Sequence, residues 1–294
     1  MVSLHTCLDI ITSCNGVSPC SGLGIIMAAL GEGAYGKVTV IRTGDKKYAL
    51  KETILPEFPE ELEAVMASVR EQDMNLIHPH VIERHWCRFS DNKFQICMEL
   101  GKPVYKADER RILHDIGQAL HFMHSKGFIH RDVKPQNIVQ VGKLYKLIDF
   151  GLTRKGTCST VLTGYMVSRW FRPPELLEAK GDRAYDGRVD MYSLALTAYF
   201  LQRQKPLFSG ETPVLLKMYK KYKARGLYKH LVCDYEDRFT SKELLQHCSI
   251  APIEGSEGEL PYRTGNVAKF ASMLRGGYDL DAKKIGYKGI YNEL

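Results

Sequence analysis

The spacing of hydrophobic residues changes after the first third of this 294-residue chain. Short β-branched and apolar runs predict five strands, at residues 25–30, 38–41, 47–51, 81–89 and 93–100. Gly44 and Asp45 favour a tight turn between the second strand and the third. Residues 56–77, which follow the third strand, show the spacing of an amphipathic helix. The first part of the chain is therefore predicted to be a β-sheet with one helix.

The pattern becomes helical beyond residues 101–103, where Gly-Lys-Pro interrupts the strand-like texture. Residues 108–125 have helical spacing. Residues 190–202 are apolar on nearly every face, which is typical of a helix at the centre of a domain. Ser241 is a candidate N-cap for a further helix. We therefore expect a β-rich region and a helix-rich region that meet near residue 101.

Composition narrows the class of protein. Hydrophobic residues make up 44% of the chain and charged residues 26%, and these proportions exclude a disordered chain, a collagen-like repeat and a coiled coil. The formal net charge of +7 is too diffuse over the whole sequence to predict nucleic-acid binding, although it suits a protein that handles phosphates. The strongest apolar run, residues 194–201, is too short to span a membrane. We expect neither a nucleic acid nor a membrane as partner.

Eight cysteines are scattered through the chain without a C-x-x-C pair, which argues against a zinc knuckle or a thioredoxin-type motif. A chain of this length can bury a sizeable core and does not need disulfides. Since the N-terminus carries no convincing targeting segment, we expect reduced thiols in an intracellular protein of the cytoplasm or nucleus.

A glycine-rich run between two predicted strands is the first candidate for chemistry. Backbone N–H groups in such a loop can bind the phosphates of a nucleotide, because glycine leaves no side chain in the way. A dinucleotide-binding fingerprint would require a helix after the glycines, so the strand argues against it. A plain hairpin turn stays an alternative on this motif alone. The run consists of Leu30, Gly31, Glu32, Gly33, Ala34, Tyr35, Gly36, Lys37 and Val38.

Three later motifs add the charges that phosphate chemistry requires. Lys51, on the next predicted strand, can pair with phosphate oxygens, with a solvated surface lysine as the alternative. Asp132, Lys134 and Asn137 supply a carboxylate, an ammonium and an amide within one short stretch. Asp149 begins an Asp-Phe-Gly tripeptide after a further predicted strand, and its carboxylate suits Mg²⁺, which prefers oxygen ligands.

In this order and at these spacings, the motifs resemble a eukaryotic-type serine/threonine protein kinase over residues 30–248. The resemblance implies an α+β, bilobal fold with a small β-rich N-lobe at residues 25–100 and a larger helical C-lobe at residues 101–250. Residues 1–24 would form an N-terminal arm, and residues 251–294 an extension of the C-lobe or a tail. The chain resembles the mitogen-activated and cyclin-dependent kinase group in particular. Its short spacers are compatible with a virus-encoded kinase.

The resemblance implies roles for the charged residues. Asp132 corresponds to the catalytic aspartate, Lys134 to the lysine typical of serine/threonine kinases, and Lys51 to the phosphate-binding lysine of the third strand. Asn137 and Asp149 correspond to the two magnesium ligands. These matches imply ATP and Mg²⁺ as cofactors and proteins as substrates.

The resemblance also implies where the rest of the nucleotide binds. Backbone groups of the hinge, at Glu99 and Gly101 after the gatekeeper Met98, would bind adenine. Glu71 is the most similar to the helix glutamate that pairs with Lys51 in the family. Its distance from the later His-Pro pair departs from the family pattern, so Glu61 and Glu63 stay open as alternatives.

Two further matches concern the C-lobe. Asp190 corresponds to the aspartate of the family's central helix. Arg238 corresponds to the arginine that pairs with the glutamate of the Ala-Pro-Glu motif, which here is Glu175 in Pro-Pro-Glu.

Residues 163–175 resemble the activation segment of that kinase group. The segment contains a Thr-x-Tyr pair, Thr163 and Tyr165, on which an activating kinase would act, with a constitutively ordered loop as the alternative. Arg131 and Arg172 would bind the phosphates placed there. Ser168 would contact the substrate residue after the phosphoacceptor, and this segment predicts a preference for proline at that position.

The function implied is transfer of the ATP γ-phosphoryl group to serine or threonine hydroxyls of proteins. Two alternatives come from other classes. One is a catalytically silent scaffold with a kinase fold, and the other is a small-molecule kinase. The presence of Lys51, Asp132, Asn137 and Asp149 argues against the first, and Lys134 together with residues 170–175 argues against the second.

Overall fold

A computed structural model describes residues 25–33, 36–54, 76–90, 93–156, 167–178, 184–257 and 263–264. Strands dominate up to residue 99 and helices dominate after it, so the predicted α+β class is confirmed. The predicted N-terminal arm, residues 1–24, lies outside the described residues. The four cysteines within the described part, Cys87, Cys97, Cys233 and Cys248, are reduced thiols. No helix in the described part is both long enough and apolar enough to cross a membrane.

Six of the strands form the main sheet, in the order β1-β2-β3-β6-β5-β13. Neighbours in this sheet are antiparallel except β5 and β13, which are parallel. The central strand β6 is buried from Phe94 to Met98, as expected of a strand covered on both faces. The strands are β1 (Ile25–Gly33), β2 (Gly36–Thr43), β3 (Lys46–Ile54), β4 (Leu76–Ile77), β5 (Arg84–Ser90), β6 (Lys93–Glu99), β7 (Lys102–Pro103), β8 (Phe128–Ile129), β9 (Ile138–Val141), β10 (Leu144–Leu147), β11 (Arg154–Lys155), β12 (Ser256–Glu257) and β13 (Arg263–Thr264).

Two long helices form the centre of the second region. The described helices are α1 (Glu109–Ser125), α2 (Pro174–Leu177), α3 (Arg188–Arg203), α4 (Thr212–Lys221), α5 (Tyr228–Leu231) and α6 (Ser241–His247). Asp108 caps α1, because its carboxylate accepts the backbone N–H of Arg111 at 3.1 Å. The apolar faces of α1 and α3 pack together, and Leu194, Ala195 and Ala198 are completely buried there. The predicted apolar helix is therefore the central helix α3.

Four local predictions need correction. Residues 76–77 form strand β4 instead of ending the predicted helix, because they pair with β12; the rest of that helix lies outside the described residues. The strand predicted from residue 81 begins at Arg84. Lys102–Pro103 is a short edge strand, β7, because the hinge runs beside β9. Ser241 is the first residue of α6, and Thr240 is its cap, because Thr240 and Glu243 form a reciprocal capping box.

A segment near the C-terminus contacts both regions of the molecule. We call residues 250–257 and 263–264 the strap. The side chain of Gln118 in α1 donates a hydrogen bond to the carbonyl oxygen of Ala251 at 2.7 Å and accepts one from the N–H of Ile253 at 2.9 Å. Farther along, β12 pairs with β4, and β13 pairs with the edge strand β5 of the main sheet.

Glycine is required at one position of the strap. A Cβ atom at Gly255 would lie 2.5 Å from the carbonyl oxygen of Ile77 and 2.8 Å from the ring of Phe122. The strap therefore runs in close contact with both β4 and α1. His78 lies beneath this contact, with its ring stacked on Phe122 at a centroid distance of 5.1 Å.

Candidate active site

A cavity of about 570 Å³ lies between the main sheet and the helical region. Its upper wall comes from β1, β2 and β3, and its lower wall comes from the loops that precede and follow β9 and β10. Seven of the predicted site residues contribute to this wall. They are Leu30, Val38, Lys51, Glu99, Gly101, Asn137 and Asp149.

The glycine-rich run forms a hairpin over the cavity. β1 and β2 are antiparallel, and Gly33 is paired with Gly36, as the strand after the glycines predicted. Gly36 has a φ of 123°, and a Cβ atom there would lie 2.1 Å from the carbonyl oxygen of Glu52, so only glycine fits. Gly31 and Glu32 lie in β1, and Lys37 is exposed on β2 outside the cavity wall. Ala34 and Tyr35 lie outside the described residues.

Lys51 and Asp149 form an ion pair across the cavity. Lys51 is buried in β3, and its Nζ atom lies 3.0 Å from Oδ1 of Asp149. Burial raises the pKa of Asp149, but the Lys51 ammonium and its hydrogen bond outweigh burial and hold that pKa below its usual range. Asp149 is therefore ionised. Its φ of 64° is in the left-handed region, as is common for residues held in place at functional sites.

Asp132 lies beside the cavity at the centre of a small hydrogen-bond network. Its Oδ2 atom accepts hydrogen bonds from Nζ of Lys134 at 2.5 Å and from Nδ2 of Asn137 at 3.0 Å. Asn137 also donates to the carbonyl oxygen of Asp132 at 2.8 Å. The three residues predicted from one short motif are thus brought together, because the 3₁₀ turn Pro135–Asn137 folds the chain back on Asp132.

A buried carboxylate on α3 holds the backbone of this loop. Asp190 is completely buried and accepts hydrogen bonds from the N–H of His130 at 2.8 Å and from the N–H of Arg131 at 2.7 Å. Its third partner is Nε2 of His124, at 2.8 Å. Arg131 has a φ of 72°, so these bonds stabilise a backbone conformation that is unfavourable for its residue type.

The hydrogen bonds to Asp190 also decide its charge. Burial raises the pKa of Asp190, but the hydrogen bonds from His124 and from the backbone N–H of Arg131 outweigh burial and lower that pKa below its usual range. Asp190 is therefore ionised while buried. His130 supports the same loop, since its Nδ1 accepts the N–H of Asp132 at 3.2 Å and its Nε2 contacts the carbonyl oxygen of Ile148 at 3.2 Å.

The residues predicted as metal ligands offer the oxygen atoms that Mg²⁺ requires. Within the described part of the chain, both hydrogen bonds of the Asn137 side chain use its amide nitrogen, so its amide oxygen is the atom it can offer to a cation. Asp149 supplies an ionised carboxylate, one oxygen of which contacts Lys51. Since both residues line the cavity, the donor set fits a hard cation beside bound phosphates.

The hinge is fastened by side chains as well as by backbone. The Glu99 carboxylate forms an ion pair with Lys146 of β10 and accepts the N–H of Glu83 at 2.7 Å. The Glu99 side chain therefore has two partners within the protein, and the Glu99 N–H donates to the carbonyl oxygen of Glu83 at 3.0 Å. The sequence motifs did not predict Lys146, because no local signal links β10 to the hinge.

The predicted pair in the helical region is present. Arg238 forms a two-pronged ion pair with Glu175, and its guanidinium also lies 5.0 Å from the ring centroid of Tyr192. Arg131 and Arg172, the predicted phosphate-binding residues, are both buried. Thr163 and Tyr165 lie outside the described residues, as do Glu61, Glu63 and Glu71, and Ser168 belongs to the 3₁₀ turn Val167–Phe171.

Gln204 and Tyr105 are among the wall residues of the cavity that sequence reasoning missed. Gln204, just after α3, has a φ of 58° and donates a hydrogen bond to the carbonyl oxygen of Tyr105 at 2.6 Å. Together they form the outer rim of the cavity beside the hinge. The short connection between the hinge and α1 was a signal that could have been used. So few residues cannot form the whole outer rim of the cavity, so another part of the chain has to complete it.

A second cluster of metal-ligating residue types lies between α1 and the segment that precedes β5, outside the cavity wall. His80, His114 and Asp115 bring their ligand atoms within 4.8 Å of one another. The Asp115 carboxylate already accepts hydrogen bonds from Nε of Arg111 at 3.0 Å and from the N–H of Tyr145 at 3.0 Å. Because the Arg111 cation occupies this carboxylate, the cluster is a structural network that joins α1 to β10.

Comparisons with known proteins agree with this geometry. The family model of the protein kinase domain matches residues 25–249. A probable serine/threonine-protein kinase of Dictyostelium discoideum is 31% identical over 200 residues, which are 63% of this chain and 39% of the relative. The cyclin-dependent kinase 4 homolog of Caenorhabditis elegans is 30% identical over 234 residues, which are 70% of this chain and 56% of the relative.

A further relative resembles a smaller part of the chain. The human serine/threonine-protein kinase MAK is 34% identical over 125 residues, which are 42% of this chain and 20% of MAK. The chain thus spans less than two thirds of the length of each of these three relatives.

Proposed function

The chain belongs to the protein kinase domain family, and on that premise we propose that it transfers the γ-phosphoryl group of ATP to serine or threonine hydroxyls of proteins. The observation that carries the proposal is the ion pair of Lys51 with Asp149 in the cavity wall. The pair of Asp132 with Lys134 is joined to the same wall through the hydrogen bond from Asn137 to Asp132. Phosphoryl transfer requires little covalent chemistry from an enzyme, because positioning and charge neutralisation supply most of the rate. This arrangement supports both.

In the proposed reaction, the substrate hydroxyl oxygen forms a bond to the γ-phosphorus of ATP. At the same time, the bond from that phosphorus to the β,γ-bridging oxygen breaks, and ADP leaves with the electron pair. Asp132 orients the hydroxyl and accepts its proton. Lys134, already in contact with Asp132, neutralises negative charge on the phosphoryl group during transfer.

The cavity wall supports a matching position for the nucleotide. Apolar side chains of Leu30, Val38 and Ala49 would enclose the adenine ring, and the hinge backbone at Glu99 and Gly101 would hydrogen-bond to its edge. Backbone N–H groups of the glycine hairpin and the Lys51 ammonium would bind the phosphates. Asn137 and Asp149 would hold Mg²⁺, which neutralises charge on the phosphate oxygens when bound. The assignment of Glu71 as the partner of Lys51 belongs to the same proposal.

The test of this function is the substitution Asp132→Asn. We expect kcat to fall about 1,000-fold, because the amide cannot accept the hydroxyl proton, while calorimetry still gives a Kd for ATP close to that of the wild type. Asp45→Asn, in the exposed turn between β2 and β3, is the matched control and should leave both quantities unchanged. Near-native turnover in Asp132→Asn would overturn the proposal, and so would a wild-type protein that transfers phosphate only to small molecules.

The finer proposal concerns substrate choice and activation. We expect Ser-Pro or Thr-Pro to be preferred, because the segment with Ser168 resembles that of proline-directed kinases. In that group the pocket for the residue after the phosphoacceptor tolerates proline, which has no backbone N–H. An activating kinase acting on Thr163 or Tyr165 would strengthen the preference. Paired peptides with Pro or Ala after the phosphoacceptor, assayed before and after phosphatase treatment, provide the test. Equal kcat/KM values in both states would contradict it and leave the broader function intact.

A further inference from the structure

The net positive charge is less diffuse than the whole sequence suggested, because one exposed stretch of the described part has six cations and no carboxylate. Residues 212–233, which contain α4 and α5, carry six lysine and arginine residues and no carboxylate, so they account for six of the seven net positive charges. All six cations are exposed, and within the described part of the protein none forms an ion pair. They are Lys217, Lys220, Lys221, Lys223, Arg225 and Lys229. We call them the basic face.

The helix α4 separates its apolar residues from its lysines. Leu215 is buried, and Leu216 and Tyr219 line a small crevice against the segment that contains Arg169 and Trp170. The opposite side of α4 is exposed and presents lysines together with two apolar side chains, Val214 and Met218. This outer side is therefore not needed to attach the helix.

The basic face also lies close to the place where a protein substrate would bind. Nε1 of Trp170, in the turn after Ser168, donates a hydrogen bond to the carbonyl oxygen of Gly210 at 3.2 Å, just before α4. The crevice that α4 lines is shared with Leu177 of α2 and with Arg172. A substrate held at this segment could thus extend over the basic face without leaving the surface.

From these observations we propose that the basic face binds an acidic segment of the protein substrate, separate from the residues around the phosphoacceptor. The proposal rests on the proposed kinase function. Six unpaired cations attract carboxylates strongly at short range, and they select partners by charge more than by shape. Val214 and Met218 would contact an apolar residue within the same acidic segment.

Nucleic acid and lipid fit this surface less well. Single-stranded nucleic acid binds where bases stack on exposed aromatic rings, but the tyrosines of this segment are turned inward. Tyr219 and Tyr222 pack against Phe208, and the Tyr228 hydroxyl contacts the carbonyl oxygen of Ala195. A membrane-binding helix would present a broad apolar face, whereas the outer side of α4 offers only two exposed large apolar residues.

The experiment compares two peptides that share a phosphoacceptor sequence and a flexible linker. One ends in six glutamates and the other in six glutamines, and each is made with the extension on either side. We expect kcat/KM of the better glutamate peptide to exceed that of its glutamine counterpart about tenfold at low salt, mainly through KM. The advantage should disappear as ionic strength rises to about 0.5 M, because salt screens exposed charges.

Charge reversal locates the effect. In the variant Lys217→Glu, Lys220→Glu, Lys221→Glu, the preference for glutamate should fall below about twofold. The matched control reverses three exposed lysines elsewhere, Lys106→Glu, Lys143→Glu and Lys242→Glu, and should keep the preference. Equal kcat/KM values for the two wild-type peptides at low salt, or an undiminished preference in the α4 variant, would overturn the proposal.

Direct binding separates this proposal from the proposed function. Fluorescence anisotropy of labelled glutamate and glutamine extensions reports binding to the basic face without turnover. If neither peptide is phosphorylated but the glutamate extension binds the wild type and not the α4 variant, the docking surface stands and the kinase function fails. Tighter binding of single-stranded RNA or of anionic phosphatidylserine vesicles, lost in the α4 variant, would overturn the choice of partner.

Discussion

The cavity and the basic face use charged residues in opposite ways. At the cavity and the loop beside it, Lys51 and Asp190 are buried, and each contacts defined partners. A buried charge destabilises the folded protein when its partners are removed. On the basic face, Lys217 and its neighbours are exposed, and water solvates them. This contrast indicates where each substitution should act. At the cavity, changes should alter folding or turnover, according to whether the residue holds the loop or contacts the phosphates. On the basic face, changes should alter only the response to charged partners.

The largest effect is expected from Asp190→Asn. The amide keeps the shape of the carboxylate, but its NH₂ group cannot accept a hydrogen bond. At least one of the three groups that contact Asp190, on His124, His130 and Arg131, therefore loses its acceptor while buried. We expect the free energy of unfolding to fall by about 3–5 kcal/mol, as measured by urea denaturation. The exposed Asp45→Asn is the control. A loss smaller than that of the control would show that Asp190 does not hold the loop.

Lys51→Met should have the next largest effect, and on activity instead of folding. Removing the ammonium deletes a charge-assisted contact to the phosphates, so kcat/KM should fall at least ~100-fold. The melting temperature should stay near the wild-type value. Lys51 borders an open cavity, and the methionine side chain can replace the packing of the lysine's methylene groups. The exposed Lys47→Met on the same strand is the matched control. Unfolding of the Lys51 variant would identify a structural lysine instead.

His78 is buried but, unlike Asp190 and Lys51, it stays neutral in the folded protein. Burial lowers the pKa of His78 from 6.5 to about 4, so the unfolded chain binds its proton more readily than the folded protein does. The stabilising contribution of His78 is therefore complete above about pH 6.5 and is lost as the pH falls toward 4. Between pH 7 and pH 5, the loss should be about 2 kcal/mol.

The substitution His78→Asn isolates this contribution. In the wild type, the N–H of His80 donates a hydrogen bond to Nδ1 of His78 at 3.1 Å. Asparagine at position 78 keeps an acceptor for this N–H, but its side chain does not titrate. Urea denaturation at pH 7 and pH 5 should show a shallower pH dependence in the variant than in the wild type. The exposed His247→Asn should leave the dependence unchanged. Identical pH dependence in all three proteins would rule out His78 as the titrating group.

The smallest effect on stability is expected from the basic face. Replacing Lys217, Lys220 and Lys221 by alanine should change the free energy of unfolding by no more than about 0.5 kcal/mol, because alanine and lysine have similar helix propensities and the side chains are exposed. Thermal denaturation measures this directly. A large destabilisation would mean that these lysines have a structural role, as the buried charges near the cavity do.

Local chemistry explains which parts of the site were predictable. Lys51, Asp132, Asn137 and Asp149 belong to short motifs whose spacing reflects the reaction itself. Lys51, Asn137 and Asp149 line one cavity, and Asp132 is hydrogen-bonded to Asn137. Long helices were predictable because their apolar residues recur with the period of the helix, which is also a local signal. The hinge pair of Glu99 and Lys146 was not, because it joins residues far apart in the chain without a local signature.

Short pairings explain most of the remaining differences. Strands β4, β7 and β12 contain two residues each, too few for any alternation of hydrophobic and polar positions to register. Their formation depends on which strand lies opposite, and that is a property of the tertiary fold. The cap of α6 shifted by one residue because both Thr240 and Ser241 can accept the same hydrogen bond, and only the partner Glu243 decides between them.

The strap has a consequence for the order in which the chain folds during its synthesis. Pairing of β13 with β5 joins residues 263 and 87, so the edge of the main sheet at β5 stays uncovered on the ribosome until residue 263 has been made. An uncovered edge offers unpaired N–H and carbonyl groups to other chains, and closing so long a loop is slow. The sheet that is translated first is thus among the last parts of the molecule to be completed, and it is exposed to mispairing for most of translation.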